Sequence, residues 1–397
     1  MVFSIKLNKE QLLVLIATSL YIMNVGVLII GLQIYFIGKV SDFQIALLSS
    51  VYWIPIIFLS PFWGYIADVT GKMKEIAVAN LVGMAITIYL HTIFSDYTGI
   101  FILRIITGVF SSSYAPTIQA YITHKVRPEV FGRNLAIYNT GIAIGFLISG
   151  YMTSLIIIYL TIIYIFYVPT VSSLLSAIFI ALLPSKDIEP RKITIKSAIR
   201  AAIPISVALQ LKRGRAIFLT IALAVRHIAI MGFFSLVYVY MQKVGIPSKN
   251  LGFLATFNNI MQIILIPIFG IVADNIGRKK TFIPGFILSM CIPIFFMKAR
   301  TNLEFAIGFA FIGIGYSMLI AGANAYLRDV APKGKEGEVL SLVNITRGVG
   351  MIIGPIVVGS IVAYYSYQVM FEVLVIIGMF ATILAVACEE IYKKQPI

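Results

Sequence analysis

The segment Gly64-Tyr-Ile-Ala-Asp68-Val-Thr-Gly71-Lys72-Met-Lys74 recurs 206 residues later as Gly270-Ile-Val-Ala-Asp274-Asn-Ile-Gly277-Arg278-Lys279-Lys280. Each copy closes a long apolar run that carries a proline three residues before the first glycine, Pro61 and Pro267. The shared pattern is G-x-x-x-D-x-x-G-K/R-x-K. A chain with this duplication has to build one substructure twice and place a charged turn at the same point in each copy. The repeat also runs beyond the turn. Gly108 with Gln119-Ala120-Tyr121 matches Gly313 with Asn324-Ala325-Tyr326, and Gly132, Asn139 and Gly145 match Gly337, Asn344 and Gly350, all at an offset of 205.

Apolar runs of about twenty residues follow one another along the chain, each long enough to cross a hydrocarbon core about 30 Å thick. Only 12% of the 397 residues are charged, and mean hydropathy is +0.97. A soluble domain carries roughly a quarter charged residues, so this chain cannot coat a water-exposed surface. Spans are predicted at 11–37, 43–67, 75–95, 98–123, 134–158, 161–183, 216–241, 250–273, 281–298, 303–327, 338–363 and 368–388. Six spans separate the two copies. An even number gives both halves the same orientation, and parallel repeats of that kind relate to each other about an axis along the membrane normal. The expected fold is an all-α membrane protein of twelve transmembrane helices in two six-helix bundles, 1–183 and 216–397. Segment 184–215, the one long polar stretch, would tether them as a basic linker, partly an amphipathic helix on the cytoplasmic face.

The formal charge of +15 invites a nucleic-acid reading, but its distribution argues against one. Of 31 Lys and Arg residues, 23 fall in the termini and loops on one side, five on the other, and three inside spans. Basic residues gather on the cytoplasmic side of short loops. Both termini are therefore expected in the cytoplasm, in a multi-pass protein of the cell membrane, with the lipid bilayer and a small solute as partners and no nucleic acid. No cleavable signal peptide is expected, because the first apolar run is long and no small-residue cleavage site follows it. Cys291 and Cys388 are expected at different depths as packing residues, without a disulfide.

The duplicated turn resembles the loop signature of the major facilitator superfamily of secondary transporters. In that family the aspartate of each copy latches one half to the other when the cytoplasmic side closes. The resemblance implies that Asp68 meets the beginning of span 11 and Asp274 the beginning of span 5. The residue chemistry suits that role. Gly64 and Gly270 would let a neighbouring helix approach closely. Asp68 and Asp274 would accept from unpaired N–H groups at a helix start. Gly71 and Gly277 would take positive φ in a tight reversal. Lys72 and Arg278 would complete a charge network. The first copy departs from the family in having Lys72-Met73 where arginine and a second basic residue are usual, so its network should be the weaker. A topogenic basic turn with an incidental aspartate is the alternative.

Ionisable groups at membrane depth are functional candidates by default. Arg104, Arg226 and Arg347 qualify, with His227 beside Arg226 in sequence but about 100° round the helix. Arg104 with Gly108 gives R-x-x-x-G in span 4, which resembles a second motif of the superfamily that is associated with proton transfer. Arg226 lies near the middle of span 7. No carboxylate is expected at that depth, and Glu372 is the deepest acid. Unneutralised arginines of this kind suit charge-assisted pairing with an anionic solute. If protons are coupled to transport, His227 is the group that could titrate. The family's cavity-lining spans 1, 4, 7 and 10 add Asn24, Ser112, Tyr114 and Tyr316 to Arg104 and Arg226 as candidate substrate contacts. Interhelical hydrogen bonding is the plainer account of each uncharged group. The glycines of span 5 (Gly141, Gly145, Gly150) resemble the exporters' motif there but lack its proline.

These features point to a monomeric transporter that moves a small solute by alternating access, with an organic anion favoured and a sugar or an apolar drug as alternatives. No G-x-x-x-x-G-K-S/T phosphate loop occurs, so a gradient would supply the energy. No cofactor or metal is implied. A membrane-embedded lipid-modifying enzyme would need clustered Asp or His, which the spans do not supply. A transport-fold sensor that binds without moving its ligand is the third reading.

Overall fold

The computed structural model describes residues 7–124, 126, 128–186, 194, 211, 216–331 and 336–389. The expected linker helix within 184–215 lies almost wholly outside these residues. Among the described residues there is no strand, and twelve helices are long and apolar enough to cross a membrane. Lipid offers no partner for backbone N–H and C=O groups, so a spanning segment satisfies them internally as a helix. The first six spans are Lys9–Phe36, Asp42–Thr70, Met73–Leu90, Tyr97–Thr123, Val130–Tyr159 and Tyr164–Ala181. The second six are Ile217–Lys243, Ser248–Ile276, Arg278–Lys298, Asn302–Asp329, Leu342–Tyr364 and Tyr367–Val386.

Two spans differ from the sequence expectation. Span 3 stops at Leu90, five residues early, where the His91 amide turns back to Ile88 and a further turn follows. Span 4 is two helices, Tyr97–Ser111 and Tyr114–Thr123, broken at Ser112-Ser113. The break has a local cause. Pro116 has no N–H to give the Ser112 carbonyl, which instead accepts from the Ser60 hydroxyl at 3.0 Å. The hydroxyls of Ser112 and Ser113 bond back to the carbonyls of Val109 and Phe110, competing with the helical ladder.

The chain divides into two compact units. The first comprises residues 1–32 and 51–199, and the second residues 33–50 and 200–397. In the second unit, the end of span 1 and the beginning of span 2 are fastened to later spans. Gln33 donates to the Phe234 carbonyl at 2.8 Å, and Ser50 to that of Ile352 at 2.8 Å. Asp42 receives Lys243 at 2.5 Å and the Tyr367 hydroxyl at 2.8 Å.

The internal repeat extends to individual contacts inside each unit. Lys74 donates to the Leu183 carbonyl at 2.7 Å, and Lys279 to the Cys388 carbonyl at 2.6 Å. Tyr121 donates to the Pro184 carbonyl at 2.7 Å, and Tyr326 to that of Glu389 at 2.8 Å. Every pair is offset by 205. In each unit, therefore, the loop lysine after span 2 and the tyrosine ending span 4 (or their repeats) satisfy the orphan carbonyls at the end of the sixth span. The glycines of the repeat pack alike. A Cβ on Gly108 or Gly313 would strike the carbonyl oxygen of Tyr52 or Asn258. One on Gly145 or Gly350 would lie 2.5–2.6 Å from atoms of Ile22 or His227.

Candidate functional site

Gly71 and Gly277 take φ of +69° and +108°, the left-handed region that their place in the reversals requires. Gly64 and Gly270 behave differently from expectation. A Cβ on Gly64 would rest 3.7 Å from Pro116, at ordinary contact distance, and one on Gly270 would meet nothing within 4 Å. The close helix approach expected at these two positions is absent, because the neighbouring span stands further off at that level.

The charged turns differ between copies. Arg278, only 10% exposed, pairs with Asp274 at 2.5 Å and with Asp329, at the end of span 10, at 3.1 Å. Asp274 itself is 58% exposed. The position matching Asp329 in the first copy is His124. Asp68 and the exposed Lys72 make no ion pair there among the described residues. Among the described residues the ion-paired turn is thus the second one, where Asp329 supplies an acid that the first copy lacks. Asp329 escaped the sequence reading because it lies outside the duplicated string, although it occupies a span end where an acid facing Arg278 is unsurprising.

At depth, the first unit holds a chain of buried polar groups. The Arg104 guanidinium stands over the Tyr52 ring, 4.1 Å from its centroid. The Tyr52 hydroxyl is 2.7 Å from Ser111 Oγ, which is 2.6 Å from the Tyr21 hydroxyl. Tyr21 stacks on Tyr114 at 3.9 Å and 15°, and the Tyr114 hydroxyl is 3.1 Å from Thr18 Oγ1. Arg104 is 2% exposed, yet its Nε and Nη1 have no hydrogen-bond partner among the described residues. The broken span 4 places Ser111 and Tyr114 on either side of its kink and turns both toward span 1. Ser112 uses its hydroxyl within its own helix. Asn24 donates to Ser173 of span 6 and to the Met84 sulfur of span 3. Asn24 is thus held inside the bundle by the interhelical bonding given above as its plainer account.

In the second unit Arg226, 2% exposed, donates through Nε to Ser289 Oγ of span 9 at 3.2 Å. Its guanidinium is 5.8 Å from the half-buried Tyr316 ring. His227 is buried, and Arg347 of span 11 is close enough for its charge to act on both Arg226 and His227. Arg347 Nε has no hydrogen-bond partner among the described residues. Position 226 matches Tyr21 in the repeat, and Tyr316 matches Ser111. The same two positions touch in each unit, as a neutral hydroxyl pair in one and as a cation over a ring in the other. Sequence reading missed Thr18, Tyr21 and Tyr52, since a tyrosine in a span also serves as an interfacial anchor. Aligning Tyr21 with Arg226 would have pointed to the first of them.

None of the three arginines is paired with a carboxylate among the described residues. Those residues also hold no group of three or more His, Cys, Asp or Glu able to bind a metal. Both cysteines are free, but Cys291 is exposed and not the packing residue expected, whereas Cys388 is buried. Ile292, Pro293 and Phe296 are buried on the inner side of span 9, and Cys291 is left on its outer side.

The sequence profile of the Major Facilitator Superfamily matches residues 14–255 and 219–396. The chain belongs to this superfamily. It is 23% identical over 386 residues to an uncharacterised MFS-type transporter of Methanocaldococcus jannaschii, covering 93% of this chain and 97% of that one. It is also 23% identical over 335 residues to the multi-drug resistance efflux pump PmrA of Streptococcus pneumoniae, covering 83% and 82%. Among solved structures, a point mutant of the nucleoside transporter NupG superposes with a TM-score of 0.83 at 14% identity, covering 96% of this chain and 100% of that one. The human organic anion transporter TETRAN gives 0.67 at 13%, covering 95% and 99%. These likenesses establish the twelve-helix fold. The superfamily member described here is a multi-pass membrane transporter.

Proposed function

We propose that this transporter carries a small organic solute bearing negative charge, by alternating access and without ATP, as a monomer in the cell membrane with both termini in the cytoplasm. One observation carries the reading: Arg104, Arg226 and Arg347 place three positive charges within the spans, and no described carboxylate pairs with any of them. An arginine cannot shed its charge, and a buried charge without a partner is costly. A carboxylate or phosphate ester entering the protein would find N–H donors already unsatisfied on Arg104 and Arg347. Ser112 and Tyr114 follow Arg104 along span 4, and the Tyr316 ring of span 10 is 5.8 Å from the Arg226 guanidinium; these groups would help to orient the solute. The turns at Gly64–Lys72 and Gly270–Arg278, with Asp68 and Asp274, would latch one conformational state. Residues 1–183 and 216–397 would be the rocking halves, with 184–215 as their tether.

A second reading has its own support. Relatives over most of the chain are named as a multi-drug resistance efflux pump and a multidrug resistance protein, and the tight packing of span 5 at Gly141 and Gly145 is present even without the exporters' proline. Export of an apolar or amphipathic drug would then rest on the aromatic groups. Arg104→Gln and Arg347→Gln separate the two readings in proteoliposomes. The anion reading predicts a selective fall in uptake of an anionic solute relative to its neutral analogue. Equal falls for both would leave the arginines as packing groups and favour the efflux reading.

A further inference from the structure

Residues 33–50 belong by sequence to the first copy of the repeat, yet they pack within the second unit. The segment carries the end of span 1, a connection that reverses at Gly38 with φ of +73°, and the first turns of span 2. It is fastened at two depths. At the rim, Asp42 accepts from Lys243, which ends span 7, at 2.5 Å and from Tyr367, which begins span 12, at 2.8 Å. Lys243 also stands 5.0 Å from the Tyr367 ring centroid, so the three side chains close a triad. Deeper, Gln33 and Ser50 donate to the carbonyls of Phe234 and Ile352. Span 2 also lies close against span 11, where a Cβ on Gly359 would be 2.9 Å from that of Ala46. Asp68 follows Asp42 by 26 residues on the same helix. At 1.5 Å per residue the triad is ~39 Å from the duplicated turn, more than a hydrocarbon core of about 30 Å. The two therefore lie at opposite faces of the bilayer.

The duplicated framework does not require this triad. The positions that match Asp42, Lys243 and Tyr367 in the other copy fall at Pro247-Ser248, Gly38 and Ile162, and none is ionisable. Parting the triad strands no buried charge either. Asp42 lies in the first turn of span 2 and Lys243 in the last turn of span 7, where each complements the dipole of its own helix. Their side chains are 17% and 49% exposed, so water reaches both. We propose that residues 33–50 are a releasable strap and that the Asp42, Lys243 and Tyr367 triad is its lock. The lock sets how often the face opposite the duplicated turns opens to water. Its purpose rests on the alternating-access reading above, in which that face opens once in every cycle. Its parting needs no solute.

The test uses purified full-length protein in detergent with no solute, so its result is independent of whether or what the protein transports. Ser50 is fully buried against span 11, and Ser50→Cys places there a thiol of similar size. Cys291→Ser removes the exposed native thiol, and the buried Cys388 is kept as an internal control. Modification of each cysteine by a water-soluble maleimide is followed by peptide mass spectrometry. When opening and closing outpace the reagent, the rate at a buried site scales with the fraction of molecules open. Cys388 should stay unmodified while the thiol at position 50 reacts slowly. Asp42→Asn and Lys243→Gln should each speed the reaction at position 50 severalfold, and Tyr367→Phe by less. Because the two charges act as one contact, the double variant should react no faster than Asp42→Asn alone. If Asp42→Asn does not fold, Lys243→Gln and Tyr367→Phe still decide. Unchanged rates at position 50 in the lock variants would overturn the proposal, as would single effects that multiply in the double variant. A rise at Cys388 in step with position 50 would also overturn it, since the variants would then loosen the whole unit and not a strap.

Discussion

Arg278 sits between two acids that the structure assigns different work, and removing each in turn separates a fold staple from a latch. Asp329 is 28% exposed and meets an arginine that is 10% exposed, at 3.1 Å. A hydrogen bond to a charged group in such a half-dry setting contributes about 1.5–3 kcal/mol. Asp274 makes the shorter contact, 2.5 Å, but is 58% exposed and meets its partner across the Gly277 reversal. Exposed ion pairs are typically worth only about 0.2–1 kcal/mol. Asp329→Ala should therefore lower unfolding stability by about 2 kcal/mol, while Asp274→Ala should lower it by about 0.5 kcal/mol or less. Transport should follow the opposite order for Asp274: Asp274→Asn slows it well beyond what its small stability loss explains, because a latch contributes to one conformational state more than to the fold. Asp68, which makes no ion pair among the described residues, should behave as Asp274 does in transport and leave stability unchanged. The assay is denaturant unfolding of each purified variant beside uptake per folded molecule in proteoliposomes. If Asp274→Ala destabilises as much as Asp329→Ala, the exposed carboxylate is a structural staple and the latch reading fails. Wild-type uptake by both Asp68→Asn and Asp274→Asn would reduce the turns to topogenic charge.

Tyr326→Phe removes one bond to a carbonyl at the end of a sixth span and should lower stability by about 1 kcal/mol; Tyr121→Phe, whose hydroxyl also lies 2.9 Å from Glu10 Oε1, should cost at least as much, and a clearly smaller loss for Tyr121→Phe in denaturant titrations would argue against equivalent capping in the two units. Gly350→Ala drives a Cβ to 2.5 Å from the backbone of His227 and should cost about 1–3 kcal/mol. Gly270→Ala, with open space around it, should be neutral or slightly stabilising because alanine favours the helix; a large loss on melting Gly270→Ala would mean that span 8 packs more closely than described.

Much of the fold was legible because the bilayer leaves few choices. A run of twenty apolar residues has to be a helix, and the duplicated turn announces two copies. The break in span 4 was less visible, since Ser111-Ser112-Ser113-Tyr114 reads as helix until Pro116 is allowed to release the Ser112 carbonyl to Ser60. The site was legible in its charges and not in its hydroxyls. Arg104 and Arg226 stand out in any apolar run, whereas Thr18, Tyr21 and Tyr52 gain meaning only when three spans bring them to Ser111. Depth along a helix can be counted from sequence, but the direction of a side chain around the helix cannot. Asn24 is therefore found bonded to spans 3 and 6, and Arg226 to Ser289 of span 9.

The central claim is that positive charge inside the spans selects a negatively charged solute. Its most direct measurement is uptake into proteoliposomes of matched pairs of radiolabelled solutes, an organic acid and its neutral amide or ester, with and without an imposed pH gradient. The account predicts saturable uptake of the acid and little of its neutral partner, with the preference lost in Arg104→Gln and Arg347→Gln. Preferential transport of the neutral or cationic member of each pair by the wild-type protein would contradict it.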